Sequence, residues 1–275
     1  MADRLAALFQ NFSVRAKMFH AGTLCSMTLV SEEHLCGHLH LVRSGGVEVH
    51  HATGLAARVS EPSLLLYPRG LAHRFVVDPA VGADMVCAFV NFEGHTANPV
   101  VASLPEFVLL PLRTMLGSEP LLSSLFAEAD ETNCGRSVVL DRLFEVVLVL
   151  VLRTLMSEGK TASGMLAGMA HPKVNLALIA MHEHPTQDWS LADLADIAGM
   201  SRTAFAGTFR DVVGATPGNY LQGWRIGLAQ KLLQRGHPLK FIATEVGYSS
   251  EAALSRAFHS HLGITPKAWR ASAMA

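Results

Sequence analysis

The chain is poor in the features that usually announce a function. It has four cysteines among 275 residues and none in CxxC spacing, which excludes a disulfide framework. Aromatic residues make up only 7% while half the chain is hydrophobic, so the core must rest on Leu, Val, Ala and Met. No apolar run reaches the roughly 18 residues of a membrane span. The nearest, VVLVLVL at 146–152, is closed by Glu145 and Arg153. The opening MADRLAALFQ lacks the basic, apolar and small-residue layout of a signal peptide. A soluble, cytoplasmic protein without membrane contact is expected. There is no Gly-rich phosphate loop, no nucleophile elbow and no H-E-x-x-H, so the common phosphoryl-transfer, acyl-transfer and zinc-protease chemistries find no motif.

A net charge of −1 says little about nucleic acid, but the charge is unevenly placed. Up to Ala170 there are 12 Lys/Arg against 16 Asp/Glu; from His171 onward there are 10 against 7. The basic excess of the last third is small, and a solvated face accounts for it as well as a phosphate-facing one.

Length allows two domains. From about 20 to 95, short β-rich runs (LHLVR, VEVHH, LLLYP, HRFVV, MVCAFVNF) are punctuated by Gly, Pro and Asp, the pattern of an antiparallel sandwich or barrel. LPEFVLLPL at 104–112 reads as an exit segment. Residues 119–156 turn helical, with a long stripe from Leu140 to Leu155 that suits either core burial or a dimer-forming helix pair. SEGKTASG at 157–164 reads as linker. Everything after it is helical. Helix starts carry Ser190, Ser201 and Ser249 or Ser250, and helix ends carry Gly199, Gly214, Gly236, Gly247 and Gly263. The expected division is therefore 1–156, a linker at 157–170, and 171–275.

One phrase is written twice: GATPGNY at 214–220 and GITPKAW at 263–269. At an offset of 49, Phe209 meets Phe258, Gly214 meets Gly263, Thr216-Pro217 meets Thr265-Pro266, and Tyr220 meets Trp269. At an offset of 48, Gly199 meets Gly247. Each copy is a short helix, a glycine turn, a second helix, a glycine stop and a Thr-Pro start. That order is a helix-turn-helix, whose second helix suits the DNA major groove. Two in tandem on one connector (about 218–235) can present both second helices to grooves roughly 34 Å apart, one DNA turn. Trp224 on the connector reads as core.

The segment from about 171 to 271, above all IATEVGYSSEAALSRAFHSHLGITPKAWR, resembles the DNA-binding domain of AraC/XylS-type transcriptional regulators. HLHLVRSG, LLLYPRGLAHRF, MVCAFVNF and NPVVASLPEFVLL resemble the cupin-type effector domain of one branch of that family. The resemblance implies an α+β chain: an N-terminal antiparallel β-barrel with a helical dimerisation segment, then an all-α double helix-turn-helix domain. It implies a regulator, more often an activator, that binds double-stranded DNA as a homodimer, contacts RNA polymerase and is not an enzyme. Ser201, Arg202, Thr203, Ala206 and Gly207 would face bases from the first recognition helix, with Arg210 near phosphate. Ser250, Glu251, Ala252, Ser255 and Arg256 would do so from the second. Arg256 can bridge phosphates or grip guanine; Glu251 can accept from cytosine or simply favour a helix start. Ala206 and Gly207 stand where the family often has longer polar side chains, which shifts the first helix toward thymine-methyl contact or DNA shape.

For the signal, His38 and His40 alternate on one face of a strand. By the resemblance, Cys25, His40, His73 and Cys87 match positions that carry Cys and His in this branch, with His38 and Cys36 as alternates. Two thiols and two imidazoles are a zinc set by residue type. Cys25 and Cys87 would equally form an oxidant sensor. The plain alternative is buried thiols and hydrogen-bonded core histidines. The effector is thus a metal, an oxidant or another small molecule. An enzyme-type cupin wants a Glu soon after the paired His; here the nearest is Glu48, eight residues past His40, which weighs against the competing reading, a metal-dependent cupin enzyme fused to a helical domain. A third class is a DNA-binding protein that senses nothing.

Overall fold

The computed structural model describes residues 3–25, 28–30, 36–94, 98–159 and 163–273. Two compact units divide the chain. One is Val14–His95 with Leu104–Lys160; the other is Met1–Ser13 with Thr96–Ser103 and Thr161–Ala275.

The first unit is built on two antiparallel sheets. β1 (Val14–Leu24), β3 (Gly37–Gly45), β6 (Ser63–Tyr67), β8 (Ala83–Phe92) and β9 (Val108–Pro111) form a five-stranded sheet in the order β1-β8-β3-β6-β9. β2 (Thr28–Val30), β4 (Val47–His51), β5 (Gly54–Val59) and β7 (His73–Val77) form the second, in the order β2-β7-β4-β5. The segment read as an exit therefore supplies an edge strand, pairing Val108 with Leu66 and Pro111 with Ser63. Proline is tolerated there because an edge strand has donors to spare.

One core joins both sheets. Val42, Leu65, Tyr67, Met85 and Cys87 come from the first, and Val47, Val49, Val59, Phe75 and Val77 from the second. β7 alternates as a half-buried strand should: His73, Phe75 and Val77 are buried, while Arg74 is exposed. α3 (Glu119–Asp130) and α4 (Arg136–Ser157) follow. The α4 stripe at Leu140, Phe144, Val147, Leu148, Val151, Leu152 and Leu155 is buried. Its acidic side chains close the free edge of β1. The Met18 N–H donates to Asp141 Oδ1 at 2.7 Å and the Ala16 N–H to Glu145 Oε1 at 3.4 Å. Without them the outermost strand would expose unpaired donors. Arg43 ties β3 to Asp84 and, at 2.6 Å, to Asp130 on α3.

The second unit is helical: α1 (Ala6–Asn11), α2 (Pro99–Ser103), α5 (Met165–Ala170), α6 (Val174–Glu183), α7 (Leu191–Ile197), α8 (Arg202–Val213), α9 (Pro217–Gln234), α10 (Leu239–Glu245), α11 (Glu251–Leu262) and α12 (Pro266–Ala273). Its N-terminal pieces are packed in. The Arg4 guanidinium donates to the Met169 carbonyl at 3.2 Å, Lys231 Nζ donates to the Asn11 carbonyl, and Phe12 meets the Trp224 ring edge-on at 5.1 Å. The stretch read as linker holds α5, with Met165, Leu166 and Met169 buried; residues 160–162 lie outside the described residues. Among the described residues no helix is long and apolar enough to cross a membrane.

Candidate nucleic-acid interface and histidine cluster

Both recognition helices start and stop on the chemistry their sequences carry. Ser201 Oγ accepts from the Ala204 N–H at 3.3 Å, and Ser250 Oγ from the Ala253 N–H at 3.1 Å. Each satisfies an orphan donor of a first turn, as N-caps do. Gly214 and Gly263 close the helices in the left-handed region, at φ 80° and 74°. Thr216 and Thr265 cap the helices that follow, accepting at 3.3 and 3.2 Å.

Inward faces are apolar. Phe205, Phe209 and Val213 on α8, and Leu254 and Phe258 on α11, are buried. Outward faces hold the residues expected at DNA. On α8, Ser201, Arg202, Thr203, Gly207 and Arg210 are exposed and Ala206 is half-buried. On α11, Ser250, Glu251, Ala252 and Arg256 are exposed and Ser255 is half-buried. Among the described residues, no ion pair holds Arg202, Arg210 or Arg256, which leaves three cations for phosphate or guanine. His259 belongs to this face as well. It is exposed and stands at the same offset of 49 from Arg210; that correspondence was available in the repeat and was missed.

The connector α9 has 18 residues, about 27 Å of helix. Arg225 on it donates to the carbonyls of Pro185 at 2.6 Å and Gln187 at 2.9 Å, and its guanidinium lies 5.7 Å from the Tyr248 ring. One side chain thereby links the approach to α7 with the turn of the second motif. Gly247 makes that turn at φ 81°, and a Cβ there would lie 2.7 Å from Thr186 Cα. Trp224 is buried, stacked on His182 at 3.7 Å and 13°, and the His182 Nε2 is 2.7 Å from the Tyr220 hydroxyl. Burial depresses His182 to about 3.

The β unit holds a second site. His38, His40 and His73 are buried, and Cys87 sits opposite His40 in the register. His73 Nδ1 lies 2.7 Å from the Leu71 carbonyl, so that nitrogen carries the proton and donates. His73 Nε2 then accepts from His40 Nε2 at 2.9 Å. This leaves His40 Nδ1 bare and without a hydrogen-bond partner among the described residues. Tyr67 stacks flat on His73 at 3.9 Å, and its hydroxyl is 3.0 Å from His51 Nε2. Burial, and then the neighbouring imidazoles, push His40 well below its ordinary value; burial takes His73 to about 4. Both are neutral at pH 7.

Other expected members lie apart. Cys25 is exposed just past the end of β1, whereas His20 is the β1 residue opposite Cys87. Five residues of strand separate them, about 16 Å. Cys36 is half-buried, and burial raises its thiol. Cys134 is exposed. Among the described residues no group of three or more His, Cys, Asp or Glu is placed to hold a metal ion. Glu48 pairs with Arg58 at 3.0 Å and His50 at 3.3 Å. Tyr67 and His20 are neighbours that the sequence reading did not name.

A cupin family model matches residues 3–157, more than half of the chain, and a helix-turn-helix domain model matches 194–272. The chain belongs to the AraC/XylS family, with a cupin-type N-terminal domain. Among AraC-type relatives, a putative AraC-like transcription regulator of Streptomyces lividans is 40% identical over 171 residues, 61% of this chain and 56% of that one. Another, of Streptomyces antibioticus, is 36% identical over 184 residues, 66% of this chain and 61% of that one. The chain thus spans about three-fifths of the length of these relatives. The RCS-specific HTH-type transcriptional activator RclR of Escherichia coli is 28% identical over 236 residues, 84% of this chain and 83% of that one. Among AraC-type solved structures, the DNA-binding domain of AdpA in complex with a target DNA is 32% identical, covering 37% of this chain and 91% of that one at a TM-score of 0.34. Apo ToxT K231A of Vibrio cholerae covers 94% and 97% at 13% identity and a TM-score of 0.40.

Proposed function

We propose that the protein is a one-component, sequence-specific DNA-binding regulator of transcription, acting as an activator. The observation that carries this reading is the pair of capped helices, α8 and α11, each with a buried apolar row behind it (Phe205, Phe209 and Val213; Leu254 and Phe258) and an exposed face bearing Arg202 and Arg210 on one and Arg256 on the other. The activator role rests on the printed name of the RclR relative. Homodimer formation is supported by α4, where Val139, Leu143, Val146 and Leu150 recur at intervals of four, three and four while Val139 and Val146 stay 42% and 47% exposed.

The signal in this reading is a divalent metal such as zinc, for which His40 and His73 would be two ligands; no third protein donor stands with them among the described residues. Both imidazoles are neutral, and His73 is oriented by a backbone carbonyl through its far nitrogen, as metal-bound histidines are. The orphaned His40 Nδ1 marks a cluster whose hydrogen bonding is incomplete. When bound, the metal would supply a structural cross-link between β3 and β7. Cys87 is ill suited to lead an oxidant response, because burial pushes its thiol up and starves it of thiolate. An oxidant reading falls instead on exposed Cys25.

The test is selection of bound duplexes from random DNA, run on protein as purified, after chelation, with zinc restored and with hypochlorite. A recovered site with two half-sites is expected, and its affinity should follow zinc. Arg256→Ala should weaken the selected site by about 1–3 kcal/mol and relax one base position. Recovery of random duplex in every arm would overturn the regulator reading; a response to oxidant that survives chelation would move the signal to Cys25.

A further inference from the structure

Each half of the double motif joins the connector through a glycine turn. Gly214 precedes α9 and Gly236 follows it, both in the left-handed region, at φ 80° and 83°. α8, α10 and α11 pack on α9, whereas among the described residues neither α7 nor α8 packs broadly against α10 or α11. Two motifs attached only at the ends of one rod could turn about it.

Arg225 adds a second attachment. It stands at the middle of α9, half-buried. Its Nε and Nη2 donate to the Pro185 and Gln187 carbonyls, on the segment that leads into α7. Its guanidinium carbon lies 5.7 Å from the centre of the Tyr248 ring, in the turn between α10 and α11. The two segments also meet directly. A Cβ on Gly247 would lie 2.7 Å from Thr186 Cα, 3.0 Å from the Thr186 carbonyl oxygen and 3.2 Å from the Arg225 guanidinium carbon. One planar fork thus holds the first motif along its edge and meets an aromatic ring of the second. All of these residues belong to the helical unit. Lysine offers a point charge with neither fork nor flat face, so it cannot make both contacts.

We propose that Arg225 is a positioning residue: by clamping 185–187 to the 247–248 turn it fixes the separation and relative rotation of α8 and α11, and thereby the spacing of the two half-sites the protein accepts. This rests on the regulator reading. Arg225 acts through the two helices rather than on DNA. One added base pair moves the far half-site about 3.4 Å along the duplex and about 35° around it. A clamped pair cannot follow that shift; an unclamped pair follows it by turning at Gly214 or Gly236.

The test uses the full chain and the duplex recovered by selection from random DNA. Companion duplexes carry one base pair more or fewer between the half-sites, or have one half-site scrambled. Wild type should lose about tenfold in affinity on either shift, the effect of roughly one mismatched base pair. Arg225→Lys should cut that loss to about threefold or less while binding each single half-site within about twofold of wild type. Tyr248→Leu, which removes the ring and leaves the carbonyl contacts, should shrink the loss too; Tyr248→Phe, which keeps a ring, should not. A role in stability alone would lower affinity for single half-sites and spaced sites by the same factor and leave the spacing preference intact. That outcome, or an Arg225→Lys preference equal to wild type, overturns the clamp. So does a wild type that binds all three spacings alike, whether or not any variant folds. Failure of the wild type to bind any duplex counts against the regulator reading instead.

Discussion

Acidification from pH 7.5 to 5.0 should cost the helical unit about 2 kcal/mol through a single side chain. His182 is held near 3 by burial among Trp224 and Tyr220, against about 6.5 in an unfolded chain. A base whose folded value is depressed resists protonation only while folded. Between 6.5 and 3 the unfolded state binds more protons, so stability falls with falling pH across that window. At pH 5.0 the unfolded histidine is almost fully charged and the folded one is not; 1.5 pH units at about 1.36 kcal/mol each give the figure. The window stays above the ordinary carboxylate range, so loss of the Ser190–Asp193 capping box, whose depressed carboxylate titrates lower, does not intrude. The assay is urea unfolding read by tryptophan fluorescence. All three tryptophans, Trp189, Trp224 and Trp269, lie in this unit, so the signal does not mix with the β unit. His182→Gln should be less stable at pH 7.5 and should lose about 2 kcal/mol less on acidification. Parallel pH profiles for wild type and variant would refute the argument.

Two glycine turns should respond unequally to alanine. Gly199→Ala meets open space and adds only the strain of φ 60°, roughly 1–2 kcal/mol, whereas Gly247→Ala also drives a Cβ against Thr186 backbone and should cost clearly more; equal unfolding midpoints would refute the close-approach argument. Gly207→Ala should do the opposite: no positive φ is needed there and nothing lies within 4 Å of a new Cβ, so stability should rise by about 0.5–1 kcal/mol in the same urea assay.

The repeat made the helical unit readable because its signals are local. A serine three residues before an N–H, a glycine at φ near 80° and the buried Phe209 and Phe258 one turn before it all act within a turn or so of helix, and each stands where the spacing placed it. The inward face shared by His38 and His40 was legible for the same reason, since strand alternation is a local rule. What the sequence could not show is long-range. The partners of His73, namely Tyr67 and His40, depend on how two sheets close over one core, and strand register alone carries Cys25 away from Cys87. His50 and His51 are both half-buried, because Glu48 and Tyr67 take them up, and neither contact is visible in strand alternation. The linker reading failed to anticipate α5 because Met165, Leu166 and Met169 are too few to make a periodic stripe, and only their burial identifies them.

Residues 1–13 and 96–103 belong to the helical unit although the chain between them builds sheet. The backbone therefore passes from one body to the other four times, and no single cut separates them. A fragment that starts at residue 161 would uncover the edge of Trp224 now met by Phe12 and remove the Asn11 carbonyl to which Lys231 donates. Moving the helical unit onto another protein means transplanting three pieces of polypeptide, and a chimera joined at one seam leaves Trp224 without its Phe12 neighbour.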